Sequence, residues 1–146
     1  EALGRALQLL EPECRRRGVT PTLQAPEAVR VNADPVAVDQ IVHNLLMNAL
    51  QAMEAVEPSR RALALSVGVE AGQGQLSVAD RGPGIAPEAL PRLFEPFFST
   101  REGGLGLGLP LCETLAQGMG GSLTAANRHD GGAVFTLHLP LSKGAA

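Results

Sequence analysis

The chain has 146 residues, 45% hydrophobic and 18% charged, with a formal net charge of −3; it is long enough to bury one core and too balanced in sign for a disordered tail or a polybasic surface. No apolar run approaches the ~20 residues of a membrane-spanning helix, so no direct membrane contact is expected, and with neither Trp nor Tyr for base stacking nucleic acid is disfavoured as a partner. Cys14 and Cys112 are the only cysteines, too far apart for a C-x-x-C pair, so neither a disulfide framework nor a zinc site is indicated and a cytoplasmic compartment is expected.

In chain order, apolar positions Ala2, Leu3, Ala6, Leu9 and Leu10 predict a helix over residues 2–17, which Pro12 should kink and Gly18 should end. Short β-prone pieces follow at 20–24 and 29–32. A long helix over 34–53 is then predicted, with Asp34 as its N-cap and Pro35 in its first position. The alternation over 62–70 predicts a strand, joined by a turn at 72–74 to a second strand over 75–79. Residues 81–108 are rich in Gly and Pro and read as loop, with a short helix over 87–94. A helix over 109–118 carries Cys112, Leu115, Ala116 and Met119 on one face and stops at Gly120 and Gly121. Strands over 122–127 and 133–139 complete an α+β, two-layer domain.

Three stretches carry more than structure. On the long helix, Val38, Val42, Leu45, Ala49 and Met53 form one stripe, and Gln40, Asn44, Asn48 and Gln51 form roughly the opposite one. An amide stripe suits a solvated face. It equally suits a ligand site, because Asn costs roughly 0.5–0.7 kcal/mol per helical position relative to Ala and amide oxygens ligate hard cations such as magnesium held with a nucleotide. "ADRGPGI", residues 79–85, follows a predicted strand; it reads either as a plain turn or as a close backbone approach, with Asp80 accepting a hydrogen bond from an exocyclic amine such as that of adenine. "LFEPFFSTREGG", residues 93–104, is either an apolar core corner or the anchor of a mobile segment that lets Arg101 reach an anion.

"GGLGLGLPL", residues 103–111, fits neither a dinucleotide fingerprint nor a Walker A loop, since Leu109 and Leu111 stand where Gly is needed and the only lysine is Lys143. The start of the next helix still offers backbone N–H groups to an anion, less the donor that Pro110 removes. A flexible connector is the other reading.

Taken together, N-L-L-x-N-A at Asn44–Ala49, D-x-G-x-G at Asp80–Gly84, F-E-P-F-F at Phe94–Phe98 and G-x-G-x-G-L at Gly104–Leu109 resemble the N, G1, F and G2 boxes of the catalytic ATP-binding domain of sensor histidine kinases. The likeness runs from the first helix to "AVFTLHLPL". It implies the Bergerat α/β sandwich: a mixed sheet of about five strands packed by three helices, with a flexible ATP lid over about residues 87–104.

By the same resemblance, ATP and Mg2+ are the cofactors. Asn44, Asn48 and Arg101 would act in catalysis, with Asn48 on the metal and Asn44 positioning the phosphates. Asp80 would bind the adenine amine, helped by a water near Gly84. Gly82, Ile85, Phe94, Gln51 and Thr100 would complete the nucleotide surround, and Gly104, Leu105, Gly106, Leu107, Gly108 and Leu109 would border the triphosphate.

The γ-phosphoryl acceptor would be a histidine on a dimerisation domain of the same protein, and a response regulator would lie downstream. The domain alone is expected to be monomeric and the full kinase homodimeric. The chain starts at Glu1 with no signal-peptide pattern and holds no H-E-x-x-x-P acceptor box. It is therefore read as one domain of a longer, potentially membrane-anchored sensor, with the acceptor domain N-terminal.

His43 is expected at the surface, His129 in a loop and His138 on a strand facing solvent. Many relatives continue the N box as N-A-x-K-Y, whereas Gln51 and Ala52 stand here, removing a cation and an aromatic wall. The "QAM" ending, "FFST" and the compact lid are more similar to the nitrogen- and oxygen-sensing branch. Other ATPases of the fold, an anti-sigma type serine kinase, and a non-catalytic nucleotide-sensing module are the alternatives.

Overall fold

In the computed structural model, the residues described are 12, 14–16, 18–19, 21–24, 34–53, 56–57, 61–70, 72–82, 84–92, 94–95, 108–128 and 131–140. Their elements run β1 (Pro21–Gln24), α1 (Pro35–Ala52), β2 (Leu63–Glu70), β3 (Gln73–Asp80), α2 (Gly108–Gly118), β4 (Ser122–Asn127) and β5 (Ala133–Pro140), with a 3-10 turn at Leu90–Arg92. Residues 12 and 14–16 are also helical; most of the helix expected over 2–17 and the strand expected over 29–32 lie outside the described residues.

The helix signals worked as local chemistry demands. The Asp34 carboxylate accepts from the Val36 N–H at 3.0 Å, Pro35 stands in the first turn where its missing N–H costs nothing, and Met53 caps the far end. Helix α2 starts one residue earlier than expected and carries Pro110 in its first turn.

The five strands form one sheet in the order β1-β2-β3-β5-β4. β1 pairs parallel with β2 and every other pair is antiparallel, which makes the sheet mixed. β5 is inserted between β3 and β4, so the last of the described strands is an interior one. α1 packs on α2 and β3, and α2 packs on β4 and β5.

One face of the sheet and the inner faces of the helices close the core. Val38, Val42, Leu45, Ala49 and Met53 are all buried as the stripe predicts, and Ile41, Leu46 and Leu50 are buried with them, so the apolar face of α1 is wider than predicted. Leu63, Leu65, Val78, Phe135, Leu137 and Leu139 meet it from the sheet, and Cys112 and Ala116 from α2. Burying each of the larger side chains contributes about 1.5–3 kcal/mol.

Three expectations are corrected. Gly74 belongs to β3 rather than to the turn: Glu70 pairs with Gln73, leaving only residues 71 and 72 between the strands. A two-residue connection matches the twist of an antiparallel pair better than the three-residue turn expected. The helix expected over 87–94 is reduced to a turn and the 3-10 segment Leu90–Arg92, because Pro91 has no N–H to continue an α ladder.

His138 is not simply solvent-facing. It lies half-buried on the open side of the sheet, with Nδ1 3.3 Å from Gln75 Nε2 and Nε2 3.3 Å from Thr124 Oγ1. His43 is exposed, as expected, and residue 129 lies outside the described residues.

Candidate functional site

Asp80, the last residue of β3, is the one buried charged or polar residue among those described, at 2% exposure. A carboxylate there needs partners, because an unpaired buried charge is strongly disfavoured. Its Oδ1 accepts from the Gly82 N–H at 2.8 Å and from the Ala133 N–H at 3.2 Å. Burial pushes the Asp80 carboxyl above its ordinary value of 3.8, while those two backbone N–H groups and the Arg128 charge pull it back down. Oδ2 receives no hydrogen bond among the described residues.

Glycine is required on both sides of this carboxylate. A Cβ on Gly82 would lie 2.8 Å from the Ala52 carbonyl oxygen, so its absence lets the turn after β3 press against the C-terminal end of α1. A Cβ on Gly132 would fall on the Asp80 carbonyl oxygen. The contact of the Arg81 N–H with Met53 Sδ at 3.4 Å ties the same turn to the cap of α1. The D-x-G-x-G turn and the end of the amide-bearing helix are thus brought side by side.

The amide stripe flanks that junction. Asn44, Asn48 and Gln51 are half-buried, whereas Gln40 is exposed, so the three residues nearer the Asp80 turn are the ones drawn into the structure. Asn44 Nδ2 donates to Cys112 Sγ at 3.4 Å across the α1–α2 contact. Burial raises the Cys112 thiol above its ordinary value and the Asn44 contact lowers it; the sulfur acts here as a weak acceptor that orients the amide.

Ile85, Phe94 and Leu109 are partly buried and pack against the core. Gly108 opens α2. Thr100, Arg101, Gly104, Leu105, Gly106 and Leu107 lie outside the described residues.

Other residues belong to this site, and sequence reasoning missed them. Ala133 and Gly132, at the start of β5, form one wall around Asp80. Arg128 donates from Nη1 to the Asp80 carbonyl at 3.2 Å. Asn127 holds Ile85 by two hydrogen bonds, accepting from its N–H at 2.6 Å and donating to its carbonyl at 2.8 Å. The only trace in the sequence is the run "NRHDGGA" between two strands, which reads as a hairpin turn.

The family model described as histidine kinase-, DNA gyrase B-, and HSP90-like ATPase matches residues 33–143. The sensor histidine kinase ZraS of Klebsiella oxytoca is 35% identical, over 97% of this chain and 30% of its own length. The C4-dicarboxylate transport sensor protein DctB of Pseudomonas aeruginosa is 39% identical, over 94% of this chain and 23% of its own. The chain therefore spans less than a third of these curated relatives. Among solved structures, the catalytic domain of histidine kinase ThkA is similar with a TM-score of 0.85 at 27% identity, covering 96% of this chain and 92% of that one. ThkA in complex with the response regulator protein TrrA is similar with a TM-score of 0.81 at 26% identity, covering 99% of this chain and 41% of that one.

Proposed function

Because the chain belongs to the histidine kinase-, DNA gyrase B- and HSP90-like ATPase family, we propose that it binds Mg-ATP beside α1 and the turn after β3. It then donates the γ-phosphoryl group to a histidine on a separate dimerisation and phosphoacceptor domain of the same protein, for onward passage to a response regulator. The observation that carries this reading is Asp80: a buried carboxylate with one oxygen held by two backbone N–H groups and the other receiving no hydrogen bond among the described residues. Such an acceptor suits the 6-amino group of adenine, a charge-assisted hydrogen bond worth about 1.5–3 kcal/mol.

The rest of the site fits a triphosphate with its cation. Asn48 offers a neutral amide oxygen of the hard-donor class, and Asn44, oriented by Cys112, presents its other amide edge. When bound, Mg2+ would neutralise charge on the phosphates. Arg101 would add a fixed positive charge there, in place of the lysine common among relatives. The residues' own part in the transfer is positioning: the adenine at Asp80 and the phosphates along the amide stripe fix the direction in which the γ-phosphoryl group is offered. The bond to the ADP oxygen breaks as a bond to the acceptor imidazole nitrogen forms.

The short span relative to ZraS and DctB supports an acceptor domain elsewhere in the same protein, and the ThkA–TrrA complex supports a response regulator partner. Within the family, "QAM" and "FFST" favour the nitrogen- and oxygen-sensing branch. Titration calorimetry with a non-hydrolysable ATP analogue and Mg2+ tests the site. Asp80→Ala should abolish measurable heat and Asn48→Ala should weaken the magnesium-dependent part; unchanged affinity in both variants would overturn the assignment. Labelling of an added dimerisation domain on histidine, rather than on serine or not at all, tests the reaction.

A further inference from the structure

We propose that Asn127 is a positioning residue for purine selection: from the end of β4 it fixes the exit of the D-x-G-x-G turn relative to Asp80, and so sets the chain's preference for a 6-amino over a 6-oxo purine. This rests on the reading that Asp80 receives an adenine.

Asn127 is exposed, and an exposed amide can satisfy itself with water. Both of its polar groups are instead committed to one residue 42 positions earlier: Oδ1 accepts from the Ile85 N–H at 2.6 Å and Nδ2 donates to the Ile85 carbonyl at 2.8 Å. Such a two-point contact fixes orientation as well as distance, as a bridge between two strands does. Gly84, directly before Ile85, sits at φ +83°, and a Cβ there would lie 3.0 Å from Asn127 Oδ1. The turn therefore adopts a conformation that brings its backbone onto this side chain.

The entry of the same turn is held by the same hairpin. Asp80 Oδ1 is bonded by the Ala133 N–H, its carbonyl by Arg128 Nη1, and the hairpin is closed by the Arg128 N–H to the Gly132 carbonyl at 2.9 Å. Asp80 at one end and Ile85 at the other are thus both tied to the facing ends of β4 and β5, through Asn127 and Arg128 on one side and Ala133 on the other. A single carboxylate oxygen recognises an amine; rejecting a 6-oxo purine also requires that the ring cannot shift to a second pose. That restriction needs the far end of the turn held still.

Two hydrogen bonds at an exposed site contribute little to overall stability. If the turn is correctly placed in only a fraction of molecules, however, the apparent dissociation constant rises by the inverse of that fraction. Asn127→Ala should therefore weaken binding of the magnesium complex of a non-hydrolysable ATP analogue by on the order of tenfold and lower the ATP-to-GTP analogue ratio, with little change in melting temperature.

The experiment titrates both analogues into the 146-residue chain as wild type, Asn127→Ala, Asn127→Asp and Asp80→Asn, with ligand-free melting and amide hydrogen exchange alongside. Faster exchange at residues 84–85 together with a reduced purine ratio in Asn127→Ala supports the proposal. So does an intermediate ratio in Asn127→Asp, which keeps the acceptor for Ile85 and loses the donor; this variant carries the same readouts if the alanine variant does not fold. An unchanged affinity and ratio overturn it, as does a loss shared equally by both analogues that follows the drop in melting temperature. A wild type that binds neither analogue overturns the ATP reading and this inference with it. Binding that is lost in Asp80→Asn but intact in Asn127→Ala overturns this inference alone.

Discussion

The two sides of the site are built on different principles. Around the Asp80 carboxylate the hydrogen-bond partners are backbone: the Gly82 and Ala133 N–H groups, beside two glycines where a methyl group would strike a carbonyl. Along α1 the partners are side chains, and the clearest of them is a 3.4 Å contact from Asn44 to the sulfur of Cys112. A base has one shape and one pattern of donors, so a fixed acceptor suits it. Under the proposed assignment, phosphates and a hydrated cation lie on the amide side; they tolerate several geometries, and rotatable amides suit them.

The strongest way to break this contrast is at Gly132. Gly132→Ala meets the Asp80 carbonyl from a residue at φ +91° and should cost roughly 3 kcal/mol or more, read by denaturant unfolding; a variant as stable as the wild type would mean the Asp80 wall is adjustable after all.

Next comes Asp80 itself. Asp80→Asn should weaken binding of an ATP analogue roughly ten- to a hundredfold by calorimetry, because an amide NH2 would face the adenine amine. The same variant sharpens the comparison through pH. Burial raises the folded carboxyl above 3.8, so the folded state holds the proton more tightly than the unfolded chain. The wild type then loses stability as pH rises from the unfolded value through the raised folded one. The ligand-free Asn variant should melt higher than wild type at neutral pH, and the difference should vanish below about pH 4.

Effects on the amide side should be smaller. Asn48→Ala should reduce affinity for the magnesium complex by about tenfold while leaving the metal-free nucleotide nearly unaffected. Cys112→Ser keeps an acceptor for Asn44 in a similar volume, and should change ATP affinity by less than about threefold and stability by about 1 kcal/mol or less.

Much of the fold was legible because its signals are local. Asp34 and Pro35 mark the start of α1 within one turn, and the apolar stripe on α1 and the alternation in β2 declare their buried faces within a few residues. Asp80 and Gly82 were legible as a candidate site for the same reason, being two residues apart at a strand end. Asn127 was not, since nothing in "NRHDGGA" tells whether its side chains meet solvent or a turn that lies 42 positions earlier. The short helix expected over 87–94 was not borne out, because the missing N–H of Pro91 leaves only a turn and a single 3-10 segment there.

The sequence by itself determined the elements, their buried faces, the amide stripe and the acidic glycine turn, because helix caps, side-chain periodicity and turn preferences act over a few residues. The tertiary structure decided which of these pieces share a site. Placing β5 between β3 and β4 delivers Ala133 to Asp80, the β4–β5 turn delivers Asn127 to Ile85, and the α1–α2 packing delivers Cys112 to Asn44 across 68 positions. Those contacts follow from burying the two helices on one face of a particular strand order, a property of the whole chain that no short segment carries.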